Sequence, residues 1–246
     1  MVLPPGACPP LPTNSISLNG PDDLALERWK VTELCNGFPA HRDACEWPKM
    51  RALFADEDAY VFTTWSGGVP IDQFIKISEA GFAKGVRIAH RVNGSTVDIA
   101  TSGSAAGRRG LGKLKATITQ RFVMPLEGGK EGETCEVDVD ADCRLCFFVE
   151  KKADGSWKNH FFKGFYEKDL LKPVDPRKLP KIDDEKLATF PEGYRWLGYA
   201  QNQAAGYAIK MDLPQSRGVD HDHFYETFKL WLDGASIEKM KVELGV

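Results

Sequence analysis

A chain of 246 residues with 42% hydrophobic and 27% charged side chains can bury one substantial core and has the balance of a soluble globular protein. The formal net charge is -3, with 32 Lys and Arg against 35 Asp and Glu, and no basic cluster marks a nucleic-acid binder. No apolar run approaches the roughly 20 residues that span a bilayer, and the Pro-rich start lacks the basic and apolar regions of a secretion signal, so a cytosolic protein without a membrane partner is expected.

Residues 1–19 read as an irregular arm. Pro21, Asp22 and Asp23 mark a helix start, because proline suits the first turn and acids suit the positive end of the dipole. The helix is predicted to stop near Cys35, at Asn36-Gly37. A short second helix follows Asp43, with Trp47, Met50, Leu53 and Phe54 on one face. A β-rich run over 60–65 comes next. A third helix begins at Pro70 and carries Ile71, Phe74, Ile75, Ser78 and Phe82 on its apolar face.

Strands follow. Residues 86–92 alternate, with Val86, Ile88, His90 and Val92 on one side, and Asn93-Gly94 predicts a hairpin turn into 96–101. Residues 102–112 read as a loop carrying Arg108 and Arg109, where an anionic group is conceivable and a solvated loop is the plainer reading. Long strands are expected over 113–124 and 138–151, and Asp154-Gly155 turns the chain into 157–166. Helices on one side of an antiparallel meander define an α+β arrangement, and a curved sheet over them encloses a pocket. The domain therefore spans 20–176, and 177–246 is an extension. Within it, the aromatic and amide-rich stretch 191–210 (Tyr194, Trp196, Tyr199, Gln201, Asn202, Gln203, Tyr207) reads equally as a lid or as packing on the outer sheet or a partner. Phe224, Phe228, Trp231 and Leu232 mark an amphipathic helix, and Ser236 caps a short last one.

The six cysteines suit free thiols. Cys143 and Cys146 form a lone CxxC whose side chains point to opposite faces of a strand, so no metal or redox role is expected. Asp220-His221-Asp222-His223 resembles a ligand cluster, but histidines at i, i+2 do not share a helix face. His90, on an inward strand face, is the leading candidate for proton transfer, against the plainer reading of a hydrogen-bonded core histidine. Asp43 suits a helix cap in Asp43-Ala44-Cys45-Glu46, and equally an orienting carboxylate for His90. His160 shares an alternating strand pattern with Phe162 and Tyr166, and lines the pocket or packs.

His41-Arg42-Asp43, Trp47, residues 59–65, Val69-Pro70-Ile71-Asp72-Gln73-Phe74, residues 87–94, Thr119-Gln120-Arg121-Phe122 and residues 145–158 occur in the order seen in fungal scytalone dehydratases, and the chain resembles that SnoaL-like (NTF2-like) family over about 20–176. The resemblance implies a cone, an apolar pocket and no cofactor. It implies an Asp–His acid/base pair at Asp43 and His90. Arg42 falls where that family has a water-holding tyrosine, Thr119 where it has a second histidine, and Asp142 and Arg144 where it has a pocket serine and asparagine. Tyr60, Phe62, Arg42 and Thr119 are therefore expected at the substrate, as are Arg144, His160, Phe162 and Tyr166. Implied partners are a small aromatic or polyketide-like ligand and further copies of the chain, as a dimer or trimer packed through the outer sheet face. The function this favours is a lyase or isomerase of dehydratase or cyclase type. An oxygenase acting on a phenolic compound and a non-catalytic binding or assembly module are the alternatives.

Overall fold

A computed structural model describes residues 3–4, 6–102 and 106–246. Seven strands form one curved, open sheet: β1 (Ser15–Ile16), β2 (Tyr60–Thr63), β3 (Gly67–Pro70), β4 (Arg87–Ala100), β5 (Arg109–Pro125), β6 (Thr134–Lys151) and β7 (Trp157–Pro173). Their order is β1-β4-β5-β6-β7-β2-β3. Neighbours run antiparallel except β2 and β7, which are parallel. Helices α1 (Asp22–Asp43), α2 (Trp47–Ala52) and α3 (Ile71–Ala83) fill the concave side. This is an α+β cone with a C-terminal helical extension.

Helix α1 does not stop at Asn36-Gly37 but runs on to Asp43 through Pro39. Continuing buries Phe38, whose ring stacks on Phe162 at 4.1 Å and meets Phe147 edge-on at 5.8 Å. That burial outweighs the weak helix propensity of glycine and the hydrogen bond lost at proline. Where α1 crosses β5, Gly112 leaves no room for a side chain: an added Cβ would lie 2.2 Å from Cys35 Sγ. Gly112→Ala is expected to cost about 1–3 kcal/mol from overpacking. Cys35→Ala in the same chain should recover most of it, as read from paired urea titrations.

Asn93-Gly94 makes no hairpin. Strand β4 is continuous, and the register slips between Val92 and Gly94, leaving Asn93 as the extra residue of a bulge. The slip changes the phase of the strand, so Ile88 and His90 point inward before it and Val97 and Ile99 after it. Val92, expected inside, is 44% exposed at the bulge. Arg109 belongs to β5 rather than to a loop, with its guanidinium 3.6 Å over the Trp231 ring and paired with Glu150 at 3.1 Å.

The extension packs on both faces of the sheet. It forms α4 (Asp184–Leu187), a 3-10 turn (Glu192–Tyr194), α5 (Arg195–Ala205), α6 (Val219–Leu232) and α7 (Ile237–Leu244). Leu197, Tyr199 and Ala200 of α5 join the inner cluster. Helices α6 and α7 lie on the outer face, against Leu111, Cys146, Phe148, Phe161 and Phe165. Cys143 and Cys146 fall in the two different clusters, as a strand's alternation requires. Ser236 accepts from the Lys239 N–H and caps α7. No helix among the described residues is long and apolar enough to cross a membrane.

Candidate active site

The extra turns of α1 bring Asp43 to its C-terminal end, against β4. A carboxylate there opposes the helix dipole. It is held by two donors instead: Oδ2 accepts from the His90 backbone N–H at 2.7 Å, and Oδ1 meets His90 Nδ1 at 2.7 Å. Asp43 is thus not the cap of α2, whose N-cap residue is Glu46. A carboxylate only accepts, so Nδ1 carries the proton and Nε2 holds a free lone pair. The His90 side chain is 4% exposed and lines a cavity. Burial pushes its pKa below the ordinary histidine value, the Asp43 hydrogen bond pulls it back up, and the Arg42 charge lowers it further. The ring is neutral at neutral pH.

The cavity measures about 40 Å³, and an adjoining one of about 20 Å³ shares Arg42, Trp65, Ile88 and Gln120 with it. Its walls are largely aromatic and aliphatic, with Phe74, Phe162 and Tyr166 facing His90 and Arg42. The polar remainder is a buried chain: Thr64 Oγ1 donates to Gln201 Oε1 at 2.6 Å, and Gln201 Nε2 donates to Gln120 Oε1 at 3.1 Å. Gln201 and Leu197 come from α5, so the 191–210 stretch supplies part of the inner cavity's wall rather than packing on the outer sheet. The start of α5 is fixed by Asp169, which accepts from the Leu197 N–H at 2.7 Å and whose carboxyl burial raises to about 6. This space is smaller than the roughly 150 Å³ void that admits benzene elsewhere, so an aromatic ligand requires its walls to move apart.

Of the residues expected at the substrate, Arg42, Phe162 and Tyr166 line the cavity with His90. Five others do not. Ile118 and Gln120 point inward, so Thr119 between them faces out and bonds Arg91 and Asp140. Likewise Leu145 is inside and Arg144 outside, paired with Glu167 and bonded to the Tyr225 hydroxyl at 2.5 Å. Tyr60 and Phe62 alternate with inward Val61 and Thr63, and pack in the outer cluster. His160 is the extra residue of a bulge opposite Phe148 and Val149, which turns it outward toward Trp231. Its ring nitrogens meet Lys152 and the Asp58 carbonyl. A one-residue error in phase moves a side chain through the sheet. Gln120 escaped notice because its neighbour Thr119 was aligned to the pocket. Gln201 was visible only as one amide among several in 191–210. Among the described residues no cluster of His, Cys, Asp and Glu could hold a metal ion.

A cone with an Asp–His pair at its apolar cavity defines the class. The SnoaL-like domain matches residues 23–162, and the chain belongs to the SnoaL-like family. Pea pathogenicity protein 2 of Fusarium vanettenii is 45% identical over 234 residues, spanning 92% of this chain and 94% of that protein. An uncharacterised protein of Emericella nidulans is 46% identical over 238 residues, with the same shares covered. Among solved structures, a putative scytalone dehydratase of Novosphingobium aromaticivorans is similar at 19% identity and a TM-score of 0.44, covering 65% of this chain and 96% of that one. The hexachlorocyclohexane dehydrochlorinase LinA-type3 of Novosphingobium barchaimii is similar at 15% identity and a TM-score of 0.41, covering 66% of this chain and 97% of that one.

Proposed function

We propose that this chain is an acid/base lyase or isomerase, of dehydratase or cyclase type, acting on a small aromatic or polyketide-like molecule. The observation that carries the reading is the neutral His90 ring, held at Nδ1 by Asp43 while its other nitrogen belongs to an apolar cavity. Nε2 takes a proton from carbon beside a carbonyl, and the electron pair moves onto the carbonyl oxygen as an enolate. The imidazolium is stabilised by Asp43. It then returns the proton to a leaving hydroxyl, which departs as water, or to a second carbon, which shifts the double bond. The chain's own side chains suffice for both transfers, and no cofactor enters the scheme.

Small cyclic ketones such as 2-tetralone, incubated in deuterium oxide and followed by NMR, test this without knowledge of the product. Exchange at the α-carbon above the buffer rate supports the reading. Exchange at the buffer rate for every ketone that binds would favour a non-catalytic binding module.

A further inference from the structure

Arg42 is 6% exposed, and its guanidinium makes no ion pair or hydrogen bond among the described residues; Nε is enclosed and unpartnered. The adjacent carboxylate is committed elsewhere, since both Asp43 oxygens are taken by His90. Around the guanidinium lie the Phe74 ring at 5.5 Å and the Phe82 ring at 5.8 Å. Such cation–π contacts offset only part of the cost of burying a charge. Burial accordingly pushes the Arg42 pKa down, against the pull of Asp43, Tyr166 and Tyr207. The cavity's amides cannot substitute as a counter-charge, and Gln120 and Gln201 are already bonded to each other. Arg42 stands in the wall of both cavities.

A buried guanidinium facing empty space beside a neutral base is one half of an ion pair. We propose that the ligand of this cavity bears a carboxylate and that Arg42 holds it, fixing the ligand against His90. The inference deepens the acid/base reading and rests on it for the role of the cavity, narrowing the substrate to an aromatic or polyketide-type acid. The guanidinium fork matches a carboxylate in a plane, which lysine does not. It also explains why an arginine is kept where burial without a partner is costly: the missing partner arrives with the ligand.

The test compares benzoate and 2-naphthoate with benzamide and 2-naphthamide, by calorimetric titration and by the shift in unfolding midpoint. The wild type is expected to bind the carboxylates at least about tenfold more tightly than the amides. In Arg42→Met the two classes should converge to within about twofold, the difference expected of apolar contact alone. Ligand-free Arg42→Met should also unfold at a higher temperature than the wild type, because an unpaired buried charge has been removed. Equal binding of both classes by the wild type, no binding of any carboxylate, or a preference that survives Arg42→Met would each overturn the proposal. Should Arg42→Met not fold, Arg42→Lys takes its place, and an undiminished preference there overturns the proposal too. His90→Ala separates the two readings: it should keep the carboxylate preference. A wild type that shows the preference but no α-carbon exchange would leave the Arg42 site standing and remove the acid/base function.

Discussion

Replacing His90 by alanine is expected to lower α-carbon exchange about 10²–10⁴-fold, the range contributed by a positioned general base. Asp43→Asn should lose about a hundredfold or more by a different route. An asparagine can still accept from the His90 backbone N–H, but its amide then turns N–H groups toward Nδ1. The ring answers by moving its proton to Nε2, and the lone pair leaves the cavity. Circular dichroism should show both variants folded. The pH dependence follows from the depressed pKa of His90. The neutral ring is the active form, so the rate rises with pH through a value below the ordinary 6.5 and is level above it. The stability linkage has the same direction. Between the folded and unfolded pKa values the unfolded chain binds a proton that the folded chain refuses, so stability falls as pH drops below about 6.5. His90→Ala should flatten that part of the stability profile, and a rate falling from pH 5 to 7 would contradict the assignment.

The two residues of the pair were legible singly, as a histidine in an alternating apolar run and an aspartate at a helix boundary, while their pairing rested on the family resemblance. The outer half of the site was not. Side-chain direction along β4 and β7 depends on bulges at Asn93, His160 and Glu167, whose positions are fixed by pairing with distant strands rather than by the residues themselves. The resemblance puts Thr119 and Arg144 at the pocket, whereas their strand neighbours Gln120 and Leu145 turn inward, and the amide chain from Thr64 through Gln201 to Gln120 joins segments far apart in sequence. The length of α1 was missed for a related reason. Asn36-Gly37 is a sound local stop, and it is overridden by the ring stack between Phe38 and Phe162, which lies more than a hundred residues away.

The outer face carries the other large expected effect. Trp231 is fully buried between α6 and the sheet, donates its indole N–H to the Gly110 carbonyl at 2.9 Å, and supports the Arg109 guanidinium on its ring. Phe148 and Phe161 pack edge-on against it at 5.9 and 6.0 Å. Trp231→Ala removes the largest side chain of this cluster and leaves the Gly110 carbonyl without its donor. A loss of about 3–5 kcal/mol is expected, read from urea titration. The cavity lies on the opposite side of the sheet, so α-carbon exchange and ligand affinity of the surviving folded fraction should change little. The same helix bears on assembly. The aromatic part of the outer face is covered by the chain's own α6 and α7, and the part left open mixes exposed Val123 and Leu170 with ion pairs, Arg121 to Asp138 at 2.7 Å and Lys172 to Asp140 at 2.6 Å. Exposed ion pairs of this kind add little to association. An oligomer joined through the aromatic residues under α6 would require that helix to leave, so light scattering should show added self-association of Trp231→Ala only at urea concentrations where the helix has detached, and the wild type should show no change at the same concentrations.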